Sequence, residues 1–371
     1  MHITLHLTSG CNMYCNYCYA LPKDRIDMSR DIAFQSIEYV FKTSPDNLGI
    51  IFFGGEPLLK KELIKDIIDF SDKLYQGSTF SHHYKITTNG ILLDEEFLEY
   101  CELSHLAVAL SFDGTKAAHD FHRKLKNGQG TFDILETKLE LLLKYQPYAN
   151  VYMTLAPETV NYYADSVEYL ISKGVKYVIA SLNYAGNWTP NNLLDLKKQY
   201  NMLSKLYEKL TLNEKKFYFS PFETKFSSHI KDEFFKCEKC HLGMHQISVA
   251  PDGSIYPCVQ FVNKKKYKIG DVSSGIDFQK RNELYHLSSK SEEVCKGCAL
   301  ESRCNNSCSC LNFQTTGYIN KISPIFCETE RMLTPIVDKL GEKLYKKKAP
   351  MFIQKHYNTV YPILSLIEDL N

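Results

Sequence analysis

The sequence predicts an α/β fold in two parts, a partial (β/α)6 TIM-like barrel followed by a cysteine-rich α+β domain. From residue 3 to about residue 183, short β-like runs alternate with helical ones, and nine of the 13 cysteines lie between residues 237 and 327. Successive βα units require a parallel sheet with helices outside, and right-handed crossovers curl it into an open barrel. We therefore expect functional residues at the carboxyl ends of the strands.

Six compact runs rich in β-branched and aromatic residues are the predicted barrel strands. They occupy residues 3–7, 50–53, 84–88, 107–112, 151–155 and 175–181. Between them, apolar residues recur at three- and four-residue steps, as in residues 63–74 and 135–143, which predicts helices. Thr131 is the predicted N-cap of the second of these helices.

The chain divides into four predicted segments. They are the barrel at 1–212, a bridge at 213–236, the cysteine-rich domain at 237–330 and C-terminal helices at 331–371. Further predicted elements are a helix over 193–210, a hairpin over 246–258 that turns at Asp252-Gly253, a helix over 332–344 with Pro335 near its start, and an amphipathic helix over 357–370.

The composition excludes several classes of function. The formal net charge is +1, so the chain carries no basic surface for nucleic acid, and we expect no nucleic-acid substrate. The N-terminus lacks a secretion signal, and no window reaches the ~18 consecutive apolar residues that a membrane helix needs. We expect a cytoplasmic protein with no membrane partner, in which most cysteines bind metal rather than form disulfides. Cys101 stands alone in a helical stretch and is assigned to the core.

Three cysteines follow the first strand at C-x3-C-x2-C spacing. They are Cys11, Cys15 and Cys18, and no fourth cysteine lies close to them in the sequence. A structural zinc takes four protein ligands and a cubane iron–sulfur cluster normally takes four cysteines, so this motif leaves one metal position open. A degenerate zinc site or three unrelated core cysteines are the alternative interpretations.

This motif resembles that of the radical S-adenosylmethionine (SAM) superfamily. The resemblance implies that Cys11, Cys15 and Cys18 hold a [4Fe-4S] cluster whose fourth iron binds SAM. It also implies anaerobic oxidoreductase chemistry, in which SAM yields a 5′-deoxyadenosyl radical that abstracts a hydrogen atom from the substrate. A reducing partner such as flavodoxin or ferredoxin would supply the electron.

Further matches to the superfamily follow the predicted strands. A Gly-Gly-Glu-Pro motif follows the second strand, a Thr-Asn pair ends the third, and a Ser-x-Asp-Gly segment with a later arginine follows the fourth. The resemblance implies that these residues bind SAM: Gly54, Gly55, Glu56, Pro57, Thr88, Asn89, Ser111, Asp113 and Arg123. Arg123 is expected to pair with the SAM carboxylate. Taken alone, the glycine and threonine segments are also typical of plain turns.

The second half resembles the seven-cysteine SPASM extension, which carries up to two auxiliary [4Fe-4S] clusters. By that resemblance the first cluster uses Cys240, Cys258 and Cys308 with Cys237 as a possible fourth ligand, and the second uses Cys295, Cys298, Cys304 and Cys327. Cys310 is left over. Three clusters and SAM are therefore the expected cofactors. Zinc is the competing interpretation, because paired C-x2-C segments also have zinc spacing.

The expected function is that of a radical SAM peptide maturase that oxidatively modifies a ribosomally synthesised peptide. A thioether crosslink on a cysteine-containing peptide is the first hypothesis, because an open auxiliary iron can hold a thiolate. The alternative is an anaerobic sulfatase-maturating enzyme, which forms formylglycine. In that group an Asp typically follows the hairpin cysteine, whereas here Val259 and Gln260 follow Cys258. A nonenzymatic zinc or electron-transfer protein is a third possibility, but it does not explain the SAM-binding motifs.

Overall fold

The computed structural model describes residues 1–20, 25–43, 47–78, 81–230, 240–289, 293–304 and 308–361. The strands are β1 (His2–Thr8), β2 (Met13–Cys15), β3 (Leu48–Gly54), β4 (His82–Thr88), β5 (Leu106–Ser111), β6 (Arg123–Leu125), β7 (Asn150–Leu155), β8 (Tyr177–Leu182), β9 (Tyr218–Phe219), β10 (Gln246–Val249), β11 (Ser254–Tyr256), β12 (Gly270–Asp271) and β13 (Gly275–Ile276). Eleven of them form one open sheet, in the order β13-β12-β11-β10-β1-β3-β4-β5-β7-β8-β9.

Helices cover the crossovers between the strands and form most of the C-terminal part. They are α1 (Arg30–Thr43), α2 (Lys61–Tyr75), α3 (Glu95–Leu103), α4 (Lys116–His122), α5 (Phe132–Tyr145), α6 (Tyr163–Ser172), α7 (Pro190–Leu212), α8 (Ser220–Ile230), α9 (Phe278–Ser288), α10 (Ser309–Thr316), α11 (Pro324–Lys346) and α12 (Pro350–Tyr357). No helix in the ranges that the structure describes is long and apolar enough to cross a membrane.

The six predicted barrel strands are confirmed as β1, β3, β4, β5, β7 and β8, with small shifts at their ends. Adjacent members pair in parallel throughout. In β1, every residue after His2 is buried, as expected for a parallel strand covered on both faces. Burying each aliphatic side chain of such a strand contributes roughly 1.5–3 kcal/mol. The strands therefore form a rigid base whose carboxyl ends position the loops described below.

The cysteine-rich half continues the same sheet. The hairpin of β10 and β11 is confirmed, and β10 pairs in parallel with β1, so that Ile3 lies opposite Ile247. The predicted bridge contains β9 and α8, and the predicted boundary at residue 330 lies inside α11. A two-residue strand such as β9 has too little periodicity to be seen in the sequence. The sheet thus holds the loop after β1 and the end of the hairpin on one framework.

One local prediction was right in position only, and another was wrong. Thr131 is the N-cap residue of α5 as predicted, but its hydroxyl donates to the Arg123 carbonyl at 3.0 Å and not to an amide of the helix. Pro335 lies in the interior of α11, because the helix already begins at Pro324. Proline fits the first turn of a helix without loss, and Pro324 occupies that position. Most of the helix predicted over 357–370 lies outside the described residues, and the structure has α12 just before it.

Candidate active site

The loop after β1 brings the three N-terminal cysteines to one cavity. Cys11, Cys15 and Cys18 all line it. The Cys18 amide donates to the Cys15 carbonyl at 3.0 Å, which turns the chain. The short strand β2 pairs antiparallel with β6, and this register sets Cys15 opposite Arg123. The motif is therefore held in place by a two-stranded ribbon as well as by β1.

The three thiols of this loop lie near one another and are partly buried. Burial raises the pKa of Cys15 to about 11 and also raises the pKa of Cys11, and the three thiol groups are close enough to influence one another. The Met13 amide lies 3.4 Å from the Cys11 sulfur and the Asn89 side-chain amide 3.7 Å from it. Such donors stabilise a thiolate, and a bound metal removes the thiol proton outright. The residues present therefore fit a metal cluster with three protein ligands.

Gly54 and Gly55 allow the turn after β3 to lie against the cysteine loop. The φ angle of Gly54 is +136°, and a Cβ on this residue would lie 2.3 Å from the Thr8 carbonyl oxygen. At Gly55 a Cβ would lie 2.2 Å from the Gly10 carbonyl oxygen. Only glycine permits this backbone conformation and this approach. The turn is therefore fixed beside the cysteines and lines the cavity.

Glu56 is a buried carboxylate held by three hydrogen bonds. Its oxygens accept from the Leu58 amide at 2.9 Å, the Thr88 hydroxyl at 2.7 Å and the Asn89 amide at 2.8 Å. Burial raises the pKa of Glu56 to about 7, although the three hydrogen bonds lower it. Asn89 in turn donates its side-chain amide to Asn12 at 2.8 Å. The ends of β3 and β4 are thus joined to the cysteine loop by one polar network.

Asp113 and Arg123 form a buried ion pair next to the same loop. The Arg123 Nε lies 2.8 Å from one Asp113 oxygen and its Nη2 lies 3.2 Å from the other. Tyr17 donates its hydroxyl to Asp113 at 2.5 Å, and the Thr154 amide donates to it at 2.9 Å. Burial alone would raise the pKa of Asp113, but the charge of Arg123 keeps it below its usual value. Asp113 therefore acts as a fixed anchor for Arg123, a role that its sequence motif did not reveal.

One cavity of about 1600 Å³ runs from the cysteine loop across the carboxyl ends of the strands to the C-terminal helices. Pockets for a single small ligand are commonly about 300–1,000 Å³, so this cavity has room for a second molecule. Its walls include these predicted SAM-binding residues: Gly54, Gly55, Glu56, Thr88, Asn89, Ser111 and Arg123. Pro57 and Asp113 are buried but do not line it. Direct contact of these residues with SAM stays a prediction.

The far wall of the cavity holds charged residues that the sequence patterns did not single out. Lys225 of α8 and Glu330 of α11 are buried and form an ion pair of 2.5 Å. Glu223 of α8 is buried as well, pairs with Lys355 of α12 and accepts from the Tyr207 hydroxyl at 2.9 Å. These residues are distant in sequence and lie on amphipathic helices without a motif, so only the tertiary structure brings them together.

The predicted ligands of the first auxiliary cluster come together as far as the structure describes them. Cys240, Cys258 and Cys308 influence one another's thiol pKa, and Cys308 also lines the cavity. Cys310, which the predicted ligand sets left out, lies in the same group, with 3.3 Å between its sulfur and that of Cys308. Cys237 lies outside the described residues. A group of thiols that lies buried among apolar side chains fits an iron–sulfur cluster.

The predicted ligands of the second auxiliary cluster also lie together. The thiol of Cys327 is influenced by Cys295 and Cys298, and that of Cys304 by Cys327 and Cys295. Burial raises the pKa of Cys327. The Cys298 amide donates to the Cys295 carbonyl at 3.0 Å, which forms the turn of this C-x2-C segment. Cluster binding by these four residues stays a prediction that the arrangement supports.

Comparison with known proteins identifies the family. Residues 5–170 match the sequence profile of the Radical SAM superfamily. This region of the chain is a radical SAM domain. A cysteine-type anaerobic sulfatase-maturating enzyme from Clostridium perfringens is 26% identical over 331 residues, which cover 81% of this chain and 86% of that enzyme. The similarity to sulfatase-maturating enzymes therefore extends beyond the radical SAM region into the cysteine-rich half.

Solved structures show that the fold is shared. The structure of native anSMEcpe with bound AdoMet and Cp18Cys peptide has a TM-score of 0.79 at 21% identity, covering 93% of this chain and 98% of that chain. Streptococcus suis SuiB bound to precursor peptide SuiA has a TM-score of 0.59 at 14% identity, covering 88% of this chain and 75% of that chain. Both of these structures contain a bound peptide.

The radical SAM domain and the similarity to these enzymes confirm several predictions. This radical SAM chain is an enzyme, an oxidoreductase homologous to anaerobic sulfatase-maturating enzymes. A SAM-binding [4Fe-4S] cluster and SAM are its implied cofactors, and the thiols of Cys11, Cys15 and Cys18 fit that cluster by their position on one cavity. The number of auxiliary clusters stays a prediction.

We expect SAM binding to depend on the ionisation of Glu56. Since the pKa of Glu56 is raised to about 7, its carboxyl group is neutral below that pH and cannot balance the charge of the SAM amino group. Lowering the pH from about 8 to about 6 should weaken SAM binding by up to roughly 10-fold, following the linkage between protonation and binding. Calorimetric titration of the reconstituted enzyme with SAM measures this.

The control for this experiment is Glu56→Gln, which keeps the shape of the side chain but cannot titrate. SAM has its own amino group with a pKa near about 8, and this variant retains that contribution to the pH profile. The wild-type enzyme should therefore show a steeper profile than Glu56→Gln. Parallel profiles would show that Glu56 does not act on SAM through its charge.

Proposed function

We propose that this radical SAM enzyme oxidises a cysteine side chain of a peptide or protein to formylglycine. The observation that carries this proposal is the similarity to the cysteine-type sulfatase-maturating enzyme, which covers 81% of this chain and 86% of the relative. The shared fold of anSMEcpe, solved with a Cys-containing peptide, supports the same substrate class.

The cavity supports a peptide substrate. A volume of about 1600 Å³ accommodates SAM at the cysteine loop and leaves the C-terminal side for a second, larger ligand. Tyr163, Tyr184 and Tyr200 line this side together with the two ion pairs described above. Such a wall offers aromatic surface and charged groups for peptide backbone and side chains.

The oxidation removes two electrons and two protons from the substrate. When bound, SAM and the clusters supply the radical that takes one hydrogen atom and accept the remaining electron. The substrate must also lose one proton, which leaves the thiol as the C=S bond forms and needs a base to accept it. Hydrolysis of this thioaldehyde yields the aldehyde and hydrogen sulfide, so the atoms balance.

Glu330 is suited to accept that second proton. Its carboxylate lines the cavity, is buried, and is held at 2.5 Å by the Lys225 ammonium group. Glu330 lies on α11, the helix that also carries Cys327, and its charge acts on the Cys304 thiol, so it is near the predicted second auxiliary site. A carboxylate fixed in this way replaces the Asp that the chain lacks after Cys258.

A thioether-forming peptide maturase is the second candidate. The observation that favours it is the sequence after Cys258, where the Gln260 side chain lines the cavity and bonds to Gln314. An amide pair cannot take a proton as a carboxylate does. SuiB, solved with its precursor peptide, shares the fold, so a peptide-crosslinking function is compatible with this architecture.

The test is incubation of the reduced, reconstituted enzyme with SAM and a cysteine-containing sulfatase peptide. We expect formylglycine, seen as a loss of about 18 Da by mass spectrometry, which is the mass difference between a thiol-bearing CH2 and an aldehyde, together with one 5′-deoxyadenosine for each product. A loss of about 2 Da without aldehyde reactivity would instead indicate a thioether and overturn the proposal.

A matched pair of variants examines the role of Glu330. Glu330→Gln should lower the yield of aldehyde for each 5′-deoxyadenosine formed, because it removes the proton acceptor but keeps the shape of the side chain. Glu328→Gln is the control, since Glu328 lies on the same helix with its side chain 56% exposed. Equal product yields from the two variants would exclude Glu330 as the acceptor.

A further inference from the structure

Cys310 occupies a position that its place in the sequence does not explain. It lies in the first turn of α10, two residues after Cys308, which is the N-cap residue. The two sulfur atoms are 3.3 Å apart, and the Cys310 side chain also bonds to that of Cys258. Both Cys258 and Cys310 are buried, at 7% and 6% exposure. Three thiols from two separated segments therefore meet within one apolar cluster.

Simple core packing does not account for this arrangement. Cys101 shows what a core cysteine is in this protein: it lies on α3, is fully buried among aliphatic side chains, and burial raises its pKa to about 12. Cys310 instead contacts two other thiols, those of Cys258 and Cys308. Apolar packing alone gives no reason for several thiols to lie together in a buried site, because thiol–thiol hydrogen bonds are weak.

The start of α10 favours negative charge on these sulfurs. The amides of Cys310 and Leu311 donate to the Cys308 sulfur, and those of Val259 and Gln260 donate to the Cys258 sulfur. Amides at a helix N-terminus stabilise an anionic ligand, and thiolates are the form that binds iron. The site is therefore prepared for thiolates on both segments that meet at Cys310.

We propose that Cys310 is the fourth thiolate of the first auxiliary cluster, together with Cys240, Cys258 and Cys308. A [4Fe-4S] cluster normally takes four cysteines, and these four residues already supply them. Cys237 is then surplus. The proposal rests on the radical SAM assignment of the chain and does not depend on which peptide the enzyme modifies.

The proposal has a mechanistic consequence. With four protein thiolates the cluster has no iron left for a substrate thiolate, so its role is to accept an electron. This agrees with oxidation to formylglycine, in which the substrate sulfur leaves. It disagrees with a thioether mechanism in which the peptide thiolate binds directly to that cluster.

Iron and sulfide analysis of anaerobically reconstituted variants tests the ligand set without any substrate. Cys310→Ala should lose about one to four irons per chain, because a cluster that lacks one ligand either loses one iron or is lost entirely, at four irons per cubane. Cys237→Ala should keep the wild-type content, and Cys101→Ala is the control for removing a buried thiol. Iron loss in Cys237→Ala with wild-type content in Cys310→Ala would overturn the proposal.

A second, more conservative variant tests the proposal even if Cys310→Ala does not fold. Cys310→Ser is nearly the same size, and its hydroxyl can replace the thiolate as a ligand. We expect it to keep the iron but to change the EPR spectrum of the reduced protein. A spectrum identical to the wild type would show that Cys310 does not bind the cluster. The wild-type spectrum should also be unaffected by a thiol-containing peptide, and a change on adding it would show an open iron.

Discussion

Cys15→Ala should abolish the formation of 5′-deoxyadenosine while the chain stays folded. Cys15 lies in the middle of the C-x3-C-x2-C loop and lines the cavity with Cys11 and Cys18. Removing one of three ligands leaves the SAM-binding cluster without support, whereas the cysteines of the second half are untouched. Iron should fall by about four per chain, the content of one cubane cluster. Chromatographic assay of 5′-deoxyadenosine under reducing, anaerobic conditions measures the loss.

Cys101→Ala is the matched control for this prediction. Cys101 is a buried cysteine that belongs to the hydrophobic core, so its removal tests the effect of losing a thiol far from the cavity wall. Iron content and SAM cleavage should remain at the wild-type level in this variant. SAM cleavage by Cys15→Ala at the same rate as Cys101→Ala would contradict the assignment of the cluster to this loop.

Asp113→Ala should destabilise the protein strongly. The variant leaves the Arg123 guanidinium buried, at 7% exposure, without its carboxylate partner, and breaking a buried ion pair in this way typically costs about 3–5 kcal/mol. The Tyr17 hydroxyl and the Thr154 amide lose their acceptor as well. For a chain of this size we expect the thermal unfolding temperature to fall by roughly 10 °C. Differential scanning calorimetry or circular dichroism measures the change.

An exposed ion pair provides the control. Asp133 and Lys116 also form an ion pair, but their side chains are 76% and 55% exposed. Asp133→Ala should cost no more than about 1 kcal/mol, since water and salt screen such pairs. If Asp113→Ala and Asp133→Ala lowered the unfolding temperature equally, the buried pair would not be a structural anchor of the cysteine loop.

Arg123 shows which part of a residue's environment a sequence motif can predict and which part it cannot. The sequence placed Arg123 in a SAM-binding segment and predicted a pair with the SAM carboxylate. The structure gives the guanidinium a carboxylate from the same chain and sets it opposite Cys15 through the pairing of β2 and β6. A three-residue strand that pairs across more than a hundred residues is invisible to periodicity, so the sequence could not reveal this partner.

The sequence by itself determined the βα framework and the chemistry of the first site. An apolar strand such as β3 is encoded locally, because a strand covered on both faces requires a nearly continuous apolar run. The spacing of Cys11, Cys15 and Cys18 likewise specifies three ligands on one loop. The sequence also predicts a close backbone approach at Gly54 and Gly55. Only glycine permits the contacts that these residues make with Thr8 and Gly10.

Only the tertiary structure decided how the two halves of the chain meet. The parallel pairing of β1 with β10 places the hairpin of the cysteine-rich half beside the predicted barrel strands. Folding of α8 against α11 brings Lys225 to Glu330, 105 residues apart in sequence. The packing of α10 against the segment after β11 brings Cys310 to Cys258. Such contacts depend on which side chains share a buried space rather than on any local pattern, because burial and charge pairing act between segments that the chain itself keeps far apart.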